Sequence, residues 1–314
     1  MSPLPKSLAA GRAARHSAFM DPKPDNPRLA IAFMVLATVF IAATMLLAKA
    51  LGTDRLGDPL HPIQVSHGRF LFALIGLVLA AAVLRPTFSR PHIRFHLLRS
   101  VAGWLGVTMM FASVIFIPLP DATAISFLNP VFAMILAIPL LGERVGPIRW
   151  LAAAIALVGA LVLLRPGPGT FQITALLALG AAVMFGLEIV VMKRLAKREG
   201  LFQILLINNA LGLTFSTIAV SFVYLSPTLA QWVALAALGG LMALAQTCYV
   251  NSVSRADASL VVPFSYGTLV FATFYDWMIF AEIPDRISVL GACIIIAGAA
   301  MLAWREATRK ATAT

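Results

Sequence analysis

Residues 29–51 read LAIAFMVLATVFIAATMLLAKAL, a run of 23 residues in which Lys49 is the single charged side chain. A helix needs about 20 predominantly apolar residues to cross the hydrocarbon core of a bilayer, so this run predicts a membrane-spanning helix. The rest of the chain is similar, since 60% of its 314 residues are hydrophobic and 12% are charged. Soluble domains average about 25% charged residues, and the composition therefore excludes a soluble enzyme.

Nine further apolar runs follow the first one. Their apolar residues are continuous rather than alternating, which favours a helical bundle over a β-barrel. We therefore predict an all-α integral membrane protein with ten transmembrane helices. The predicted spans are residues 29–51, 62–84, 100–117, 122–142, 150–164, 171–192, 201–225, 228–250, 258–281 and 287–304.

The net charge of +11 is distributed unevenly between the two sides of the predicted bundle. If the amino terminus is cytoplasmic, the loops and tails on that side hold 19 of the 24 Lys and Arg residues. The opposite loops hold Arg55, Arg165 and Arg286, while Lys49 and Arg69 fall within spans. The positive-inside rule then predicts that both termini are cytoplasmic, N-in/C-in. The expected partner of the bundle is a lipid bilayer, and nucleic acid is not expected to bind.

The two halves of the chain share short motifs at an offset of 139 residues. Residues 140–143 (LLGE) precede span five and residues 280–282 (FAE) precede span ten, and the same offset aligns Gly159 with Gly298. Each half holds five spans, and because five is odd the second half enters the membrane upside down. We predict a disordered cytoplasmic arm at 1–28, inverted repeats at 29–165 and 171–304, and a cytoplasmic tail at 305–314.

Inverted repeats are typical of secondary carriers, because two equivalent halves can rock about a site near the membrane midplane. The alternative classes are a channel and a membrane scaffold without transport activity. The sequence has no glycine-rich nucleotide loop, metal-ligand cluster or nucleophile–base motif. We therefore expect no enzymatic activity and no cofactor, with energy coming from a gradient or from the substrate itself.

Ala152, Ala156 and Ala160 form a seam of small residues at four-residue spacing on span five. Small residues let two membrane helices approach closely. The seam predicts a close helix crossing, either within one chain or in a homodimer.

Two stretches carry a resemblance to a known family. Residues 119–130 (LPDATAISFLNP) lead to LGE at 141–143, and this run resembles the first EamA repeat of the drug/metabolite transporter superfamily. The second copy holds DAS at 257–259, PFSY at 263–266 and EIPD at 282–285, and it is similar to the S-adenosylmethionine uptake branch. The resemblance implies a ten-helix inverted-repeat carrier of small metabolites. Such carriers serve amino acids, nucleotide sugars, riboflavin or S-adenosylmethionine.

Arg69 is the first candidate for the substrate site. It lies seven residues inside span two, about 10 Å from the outer surface at about 1.5 Å per residue. A charge at that depth is costly unless it is paired or hydrated, so it indicates function. Members of the resembled family also carry an Arg followed by aromatic residues in span two. The alternative is a structural ion pair between helices, and we expect the nearby His67 to be a packing residue.

Glu188 in span six is a carboxylate that we place well inside the membrane, since four apolar or thioether residues separate it from Lys193. Its placement about 6 Å from the cytoplasmic end puts it roughly half a bilayer from Arg69, which argues against a direct pair. Arg69 can bind a carboxylate or phosphate, and Glu188 can pair with an ammonium or sulfonium or accept a proton. The alternative for Glu188 is an ion pair with a basic residue of an inner loop. Lys49 and Asp276 lie near the outer interface, and we expect their side chains to extend to it.

Five uncharged side chains complete the candidate substrate site. Trp104 in span three could stack on a planar ring or a cation, with core packing as the alternative. Asn129, Phe264 and Tyr266 each lie close to a proline, where a broken helix exposes backbone dipoles to a cavity. Asn208 in span seven could line the path or bond a neighbouring helix.

Together these features predict a secondary carrier in a bacterial cytoplasmic membrane that moves a small amphoteric metabolite by alternating access. The first predicted substrate is S-adenosylmethionine or an amino-acid derivative, which would use Arg69 and Glu188. The alternative substrate is riboflavin or another neutral aromatic metabolite, for which Trp104, Phe264 and Tyr266 would matter more.

Overall fold

The computed structural model describes residues 26–86, 88–142, 145–164, 174–195, 198–253, 255 and 264–311. These residues include eleven helices with both ends placed and a 3₁₀ turn at Asp54–Leu56. Phe264 and Ser265 are also helical, and no strand is present among the described residues. The helices are α1 (Pro27–Gly52), α2 (Pro62–Leu84), α3 (Ile93–Phe116), α4 (Leu119–Ser126), α5 (Asn129–Leu141), α6 (Pro147–Leu164), α7 (Ala175–Leu195), α8 (Leu201–Val220), α9 (Leu229–Val253), α10 (Gly267–Phe280) and α11 (Arg286–Ala311).

The helices agree with an all-helical membrane protein. Seven helical segments are long and apolar enough to cross a membrane, counting α4 and α5 as one segment, Leu119–Leu141. Three shorter apolar helices, Pro147–Leu163, Gly267–Phe280 and Arg286–Met301, stand where we predict spans five, nine and ten. The predicted motif residues Glu143 and Asp257 lie outside the described residues.

Helix starts follow from capping residues in the sequence. The side chain of Asn26 accepts a hydrogen bond from the backbone N–H of Leu29 at 3.1 Å, and Pro27 occupies the first turn of α1. Pro62 similarly opens α2. A proline is tolerated in the first turn because its missing N–H would have no partner there.

Helix α3 begins earlier than we predict. It starts at Ile93 rather than at residue 100, which adds two turns at the predicted cytoplasmic end. Arg94 and Arg99, which we counted as loop residues, are therefore helical. The prediction was wrong because it used hydropathy alone, whereas His96 and Arg99 are polar residues that the fold buries.

The fourth predicted span is broken in its middle. Helix α4 ends at Ser126 and α5 begins at Asn129. Between them the backbone N–H groups of Phe127 and Leu128 donate to the carbonyls three positions back, at 3.1 and 3.0 Å. Pro130 cannot donate a backbone N–H, and its ring crowds the carbonyl four residues earlier, so the helix is interrupted before it. The expected disruption at Asn129 is present.

Helices α6 and α11 cross at very short range. A Cβ atom on Gly159 would meet the backbone N of Ile295 at 2.7 Å, and one on Gly298 would meet the backbone N of Ala156 at 2.6 Å. The seam of small residues that includes Ala152 and Ala156 is fully buried in this crossing. The predicted close approach therefore occurs within the chain.

The packing of the helices has a two-fold pattern. Helix α1 packs along α9, and α7 packs along α3, while α2 contacts α8 and α6 contacts α11. The same pattern recurs in backbone geometry, because α5 and α10 end on residues 139 positions apart that both adopt a left-handed conformation. Gly142 has φ 67° and Ala281 has φ 57°.

Candidate functional site

Four of the seven predicted site residues lie on four helices that pack against one another, α2, α3, α7 and α8. Helix α3 packs against both α7 and α8, and α8 packs against α2. Arg69 of α2 is 5% exposed, and Asn208 of α8 is also 5% exposed. Glu188 and the unpredicted Arg99 lie close enough to Arg69 for their charges to act on it. We call this group, with Trp104, the polar chamber.

Of the two arginines in the polar chamber, Arg99 has a salt-bridge partner and Arg69 has none among the described residues. Glu188 Oε1 accepts a salt bridge from Arg99 Nη2 at 2.9 Å, so the predicted alternative for Glu188, an ion pair with a basic residue, is present. That basic residue lies in helix α3 and not in a loop. Among the described acidic side chains, none lies within salt-bridge distance of Arg69. Arg69 and Glu188 therefore form no direct salt bridge, but they lie closer than the half bilayer that we expected, since the charge of Glu188 acts on Arg69.

Several buried polar atoms of the polar chamber have no hydrogen-bond partner among the described residues. They are Arg69 Nη1, Arg99 Nε and Nη1, Trp104 Nε1 and Asn208 Oδ1. Buried polar atoms in folded proteins nearly always have a partner, which is another protein group, water or a ligand. The chamber is therefore chemically suited to a polar guest that supplies mainly acceptor atoms.

Aromatic rings form one wall beside these polar groups. The Trp104 and Phe215 rings are tilted by 48° with their centroids 6.3 Å apart. An apolar cleft of about 520 Å³ opens next to them, lined in part by Ile218 and Phe222. The Arg69 guanidinium also lies 4.6 Å from the centre of the Phe70 ring, an orientation that a cation and an aromatic face favour.

The two helix interruptions meet each other. Phe127, at the end of α4, and Tyr266, at the start of α10, are 139 residues apart, and their rings contact edge to face with centroids 5.1 Å apart. Asn129 is half-buried at the start of α5. Phe264 is 37% exposed, in contrast to the buried side chains of the polar chamber. These three predicted site residues lie on helices other than the four that form the chamber.

Lys49 and Asp276 do not extend to the interface as we expected. Lys49 Nζ lies 2.7 Å from Asp276 Oδ1, and the two side chains are 4% and 0% exposed. Lys49 also contacts Glu282 at 2.8 Å, and the backbone N–H of Leu119 donates to Asp276 Oδ2 at 2.8 Å. The expectation failed because the two side chains neutralise each other across α1 and α10. We call this group the α1–α10 ion network.

A second polar cluster lies at the other end of the helix bundle from the α1–α10 ion network. We did not predict it from the sequence. Glu199, in the connection between α7 and α8, accepts hydrogen bonds from the rings of His92 and His96 at 2.9 and 2.8 Å. It also accepts one from Gln203 Nε2 at 2.6 Å. The spacing of His92 and His96 by four residues, one helical turn, was the signal available in the sequence. We call this group the Glu199 cluster.

The hydrogen bonds of this cluster control the ionisation of Glu199. Burial alone would raise the pKa of Glu199, but the bonds from the His92 backbone N–H and from the rings of His96 and His92 outweigh it. Together they lower the pKa of Glu199 to about 2. The carboxylate is therefore charged at neutral pH and holds α3 to the start of α8.

His67 agrees with its expected packing role. Its ring Nδ1 lies 3.4 Å from the hydroxyl oxygens of Ser216 and Thr217 on α8. It therefore links α2 to α8 one helical turn away from the contact between Phe70 and Gly212.

Buried charges on helices that cross a membrane, gathered around polar atoms without protein partners, define a membrane transport protein as the class to test. The sequence comparison gives the family. The model of the EamA-like transporter family matches residues 28–165 and 172–304, so the chain belongs to this family. A solved crystal structure shares the fold with a TM-score of 0.58 at 20% sequence identity, covering 85% of this chain and 97% of the other.

Relatives with assigned functions are also transporters. An S-adenosylmethionine uptake transporter of Rickettsia bellii is 28% identical, over 88% of this chain and 94% of the relative. A pseudopaline exporter of Pseudomonas aeruginosa is 26% identical, over 72% of this chain and 82% of the relative. A riboflavin transporter of Rhizobium johnstonii is 30% identical, over 68% of this chain and 72% of the relative. These relatives support a transporter of the drug/metabolite superfamily and differ in substrate.

Proposed function

We propose that this protein is a secondary carrier that moves a small amphoteric metabolite across the membrane by alternating access. The observation that carries the proposal is Arg69, a buried intramembrane arginine whose Nη1 has no hydrogen-bond partner among the described residues. An unpaired charge is too costly to retain in a bilayer for packing alone, and a substrate carboxylate would neutralise it.

The proposed substrate is S-adenosylmethionine or another amino-acid derivative. A carboxylate would bind at Arg69, and a planar ring or sulfonium would lie against Trp104, whose indole face attracts cations. Asn208 offers an unpartnered carbonyl oxygen to an ammonium group. Glu188 provides the negative charge that balances the cationic end. Uptake transporters named for S-adenosylmethionine in several Rickettsia species support this choice.

The residues at the helix interruptions have a different proposed role. Asn129, Phe264 and Tyr266 would line the path that connects the polar chamber to the membrane surface. The contact between Phe127 and Tyr266 supports this role, because it joins corresponding positions of the two halves. Movement of one half against the other would separate these rings.

The proposed architecture has ten transmembrane helices in two inverted repeats, residues 29–165 and 171–304, with both termini in the cytoplasm of a bacterium. The two-fold packing pattern and the basic residues of alternate loops support it. Single cysteines placed at Arg90 and at Asp54 in a cysteine-free background test the topology. A membrane-impermeant maleimide should label the cysteine at position 54 in intact cells, and the cysteine at position 90 only after the membrane is opened. The reverse pattern of labelling would contradict the N-in/C-in topology.

A neutral aromatic substrate such as riboflavin is the second candidate. The Trp104–Phe215 wall and its apolar cleft favour it, as do relatives named as riboflavin transporters. For this substrate the aromatic side chains would contribute more binding than Arg69 and Glu188.

Counterflow in proteoliposomes tests the proposal. Vesicles containing the purified protein are loaded with unlabelled S-adenosylmethionine, an amino acid or riboflavin, and entry of the matching labelled compound is followed. Transient accumulation of S-adenosylmethionine or an amino acid supports the amphoteric carrier, and accumulation of riboflavin alone supports the second candidate. Ion conductance without saturation would instead indicate a channel.

A further inference from the structure

We propose that Arg99 is a second anion-binding residue, which binds the substrate carboxylate together with Arg69. Glu188 is then the resident counter-ion of Arg99, and the incoming carboxylate displaces it. This inference deepens the proposed function and rests on it for the identity of the transported compound. It adds a step of exchange at Glu188, whose carboxylate is released from Arg99 and can then pair with the cationic end of the substrate.

The first observation is the excess of donors around the two arginines. Arg99 uses Nη2 for Glu188, while its Nε and Nη1 lack partners, and Arg69 Nη1 also lacks one. Both side chains are more than nine-tenths buried, since Arg69 is 5% and Arg99 is 6% exposed. A planar guanidinium matches a carboxylate through two parallel N–H bonds, and each arginine has donors left for such an acceptor.

The second observation is the local charge. Two arginines and one glutamate leave the polar chamber with an excess positive charge, because Glu188 is the single described acidic side chain in salt-bridge range of either arginine. Arg99 on α3 and Glu188 on α7 lie at similar heights along these two packed helices. Gly103 lies between Arg99 and Trp104 on α3 and faces the Glu188 carboxylate. The carboxylate group of a guest would offset this excess positive charge at the two arginines.

The third observation is that Glu188 is held less firmly than the arginines. Its side chain is 22% exposed, and its carboxylate lies over Gly103, where a Cβ atom would meet all three carboxyl atoms at 3.3 Å. The missing side chain at Gly103 leaves room for the carboxylate on the surface of α3. The Glu188 carboxylate is therefore more accessible from outside the helices than either guanidinium group.

Paired probes that differ by one carboxylate test the inference. The pairs are L-tryptophan with tryptamine, L-methionine with 3-(methylthio)propylamine, and S-adenosylmethionine with its decarboxylated form. Binding to the purified full-length protein in detergent is measured by thermal stabilisation. The wild type should bind the carboxylate member of at least one pair roughly 10- to 100-fold more tightly, the range typical of a hydrogen bond to a charged group.

Three variants separate binding from structure. Arg99→Gln alone leaves Glu188 unpaired and could fail to fold, so the double variant R99Q/E188Q removes both charges. It should weaken the preference for the carboxylate about 10-fold, with the remainder carried by Arg69. The variant E188Q should keep or increase the preference, because it releases Arg99. Arg94→Gln, an exposed position on the same helix, should match the wild type.

The outcomes distinguish this inference from the proposed function. A carboxylate preference that is as large in R99Q/E188Q as in the wild type, or that E188Q alone abolishes, overturns the role of Arg99. Failure of every carboxylate probe to stabilise the wild type also overturns it, even if riboflavin is transported. Binding of carboxylate probes with the predicted variant pattern supports the inference, even if counterflow detects no transport of S-adenosylmethionine.

Discussion

Replacing Lys49 by methionine should destabilise the protein strongly through the α1–α10 ion network. Lys49 Nζ contacts Asp276 at 2.7 Å and Glu282 at 2.8 Å. Methionine keeps the length and apolar contacts of the side chain but removes its charge. Two carboxylates then remain close together, and the one on Asp276 is fully buried.

The burial of each residue and the contacts that its replacement leaves intact determine the order of the stability losses. Removing one partner of a buried ion pair costs about 3–5 kcal/mol, which corresponds to a fall of roughly 5–8 °C in Tm for a chain of this size. Asp276→Asn should cost less than Lys49→Met, because Lys49 retains Glu282 and the Leu119 N–H retains an oxygen acceptor. Glu282→Gln should cost about 1 kcal/mol or less, since its side chain is 43% exposed.

Thermal unfolding in detergent, followed by intrinsic fluorescence, measures this order. The double variant K49M/D276L removes both buried charges and should recover much of the stability that K49M loses. A Lys49→Met variant as stable as the wild type would refute the reasoning. So would a double variant that is no more stable than K49M.

Three further predictions concern helix crossing, ionisation and backbone conformation. Gly298→Ala should lower Tm by several degrees, because its Cβ would meet the Ala156 backbone N at 2.6 Å. The control Gly76→Ala has open space around its Cβ and should not lower Tm. Equal Tm values for the two variants would contradict the close crossing of α6 and α11. The low pKa of Glu199, about 2, adds stability that is present above its ordinary value near 4.5 and is lost as pH falls toward 2. Glu199→Gln should therefore flatten the fall in Tm between about pH 5 and 3, and an unchanged slope would argue against the Glu199 cluster. Ala281→Gly should raise Tm by roughly 1–2 °C because Ala281 has φ 57°, and a lower Tm would show that this conformation carries no strain.

Helix content was predictable from the sequence because hydropathy reports directly on a long apolar helix. The break at Asn129 was also predictable, since a proline in mid-helix removes a donor and clashes with the preceding turn. The start of α3 was not, because His96 and Arg99 are polar and their burial depends on Glu199 and Glu188 from other helices.

The candidate site was predictable in part. Arg69 could be singled out as an ionisable residue deep in a predicted span, and the structure buries it. The partner of Glu188 could not be identified from hydropathy, because Arg99 lies beyond the predicted end of its helix. The Lys49–Asp276 pair joins residues separated by 227 positions, and each residue alone resembled an interfacial side chain. Pairing of distant charges depends on helix packing, which local sequence patterns do not report.

The most direct test of the proposed carrier is counterflow with the charge of Arg69 removed. Proteoliposomes with wild type, Arg69→Gln and the exposed control Arg55→Gln are compared for labelled S-adenosylmethionine and labelled riboflavin at equal protein content. The amphoteric carrier predicts saturable S-adenosylmethionine counterflow in the wild type and in R55Q, with a loss of roughly 10-fold or more in R69Q. Unchanged S-adenosylmethionine counterflow in folded R69Q, or wild-type counterflow of riboflavin alone, would contradict it.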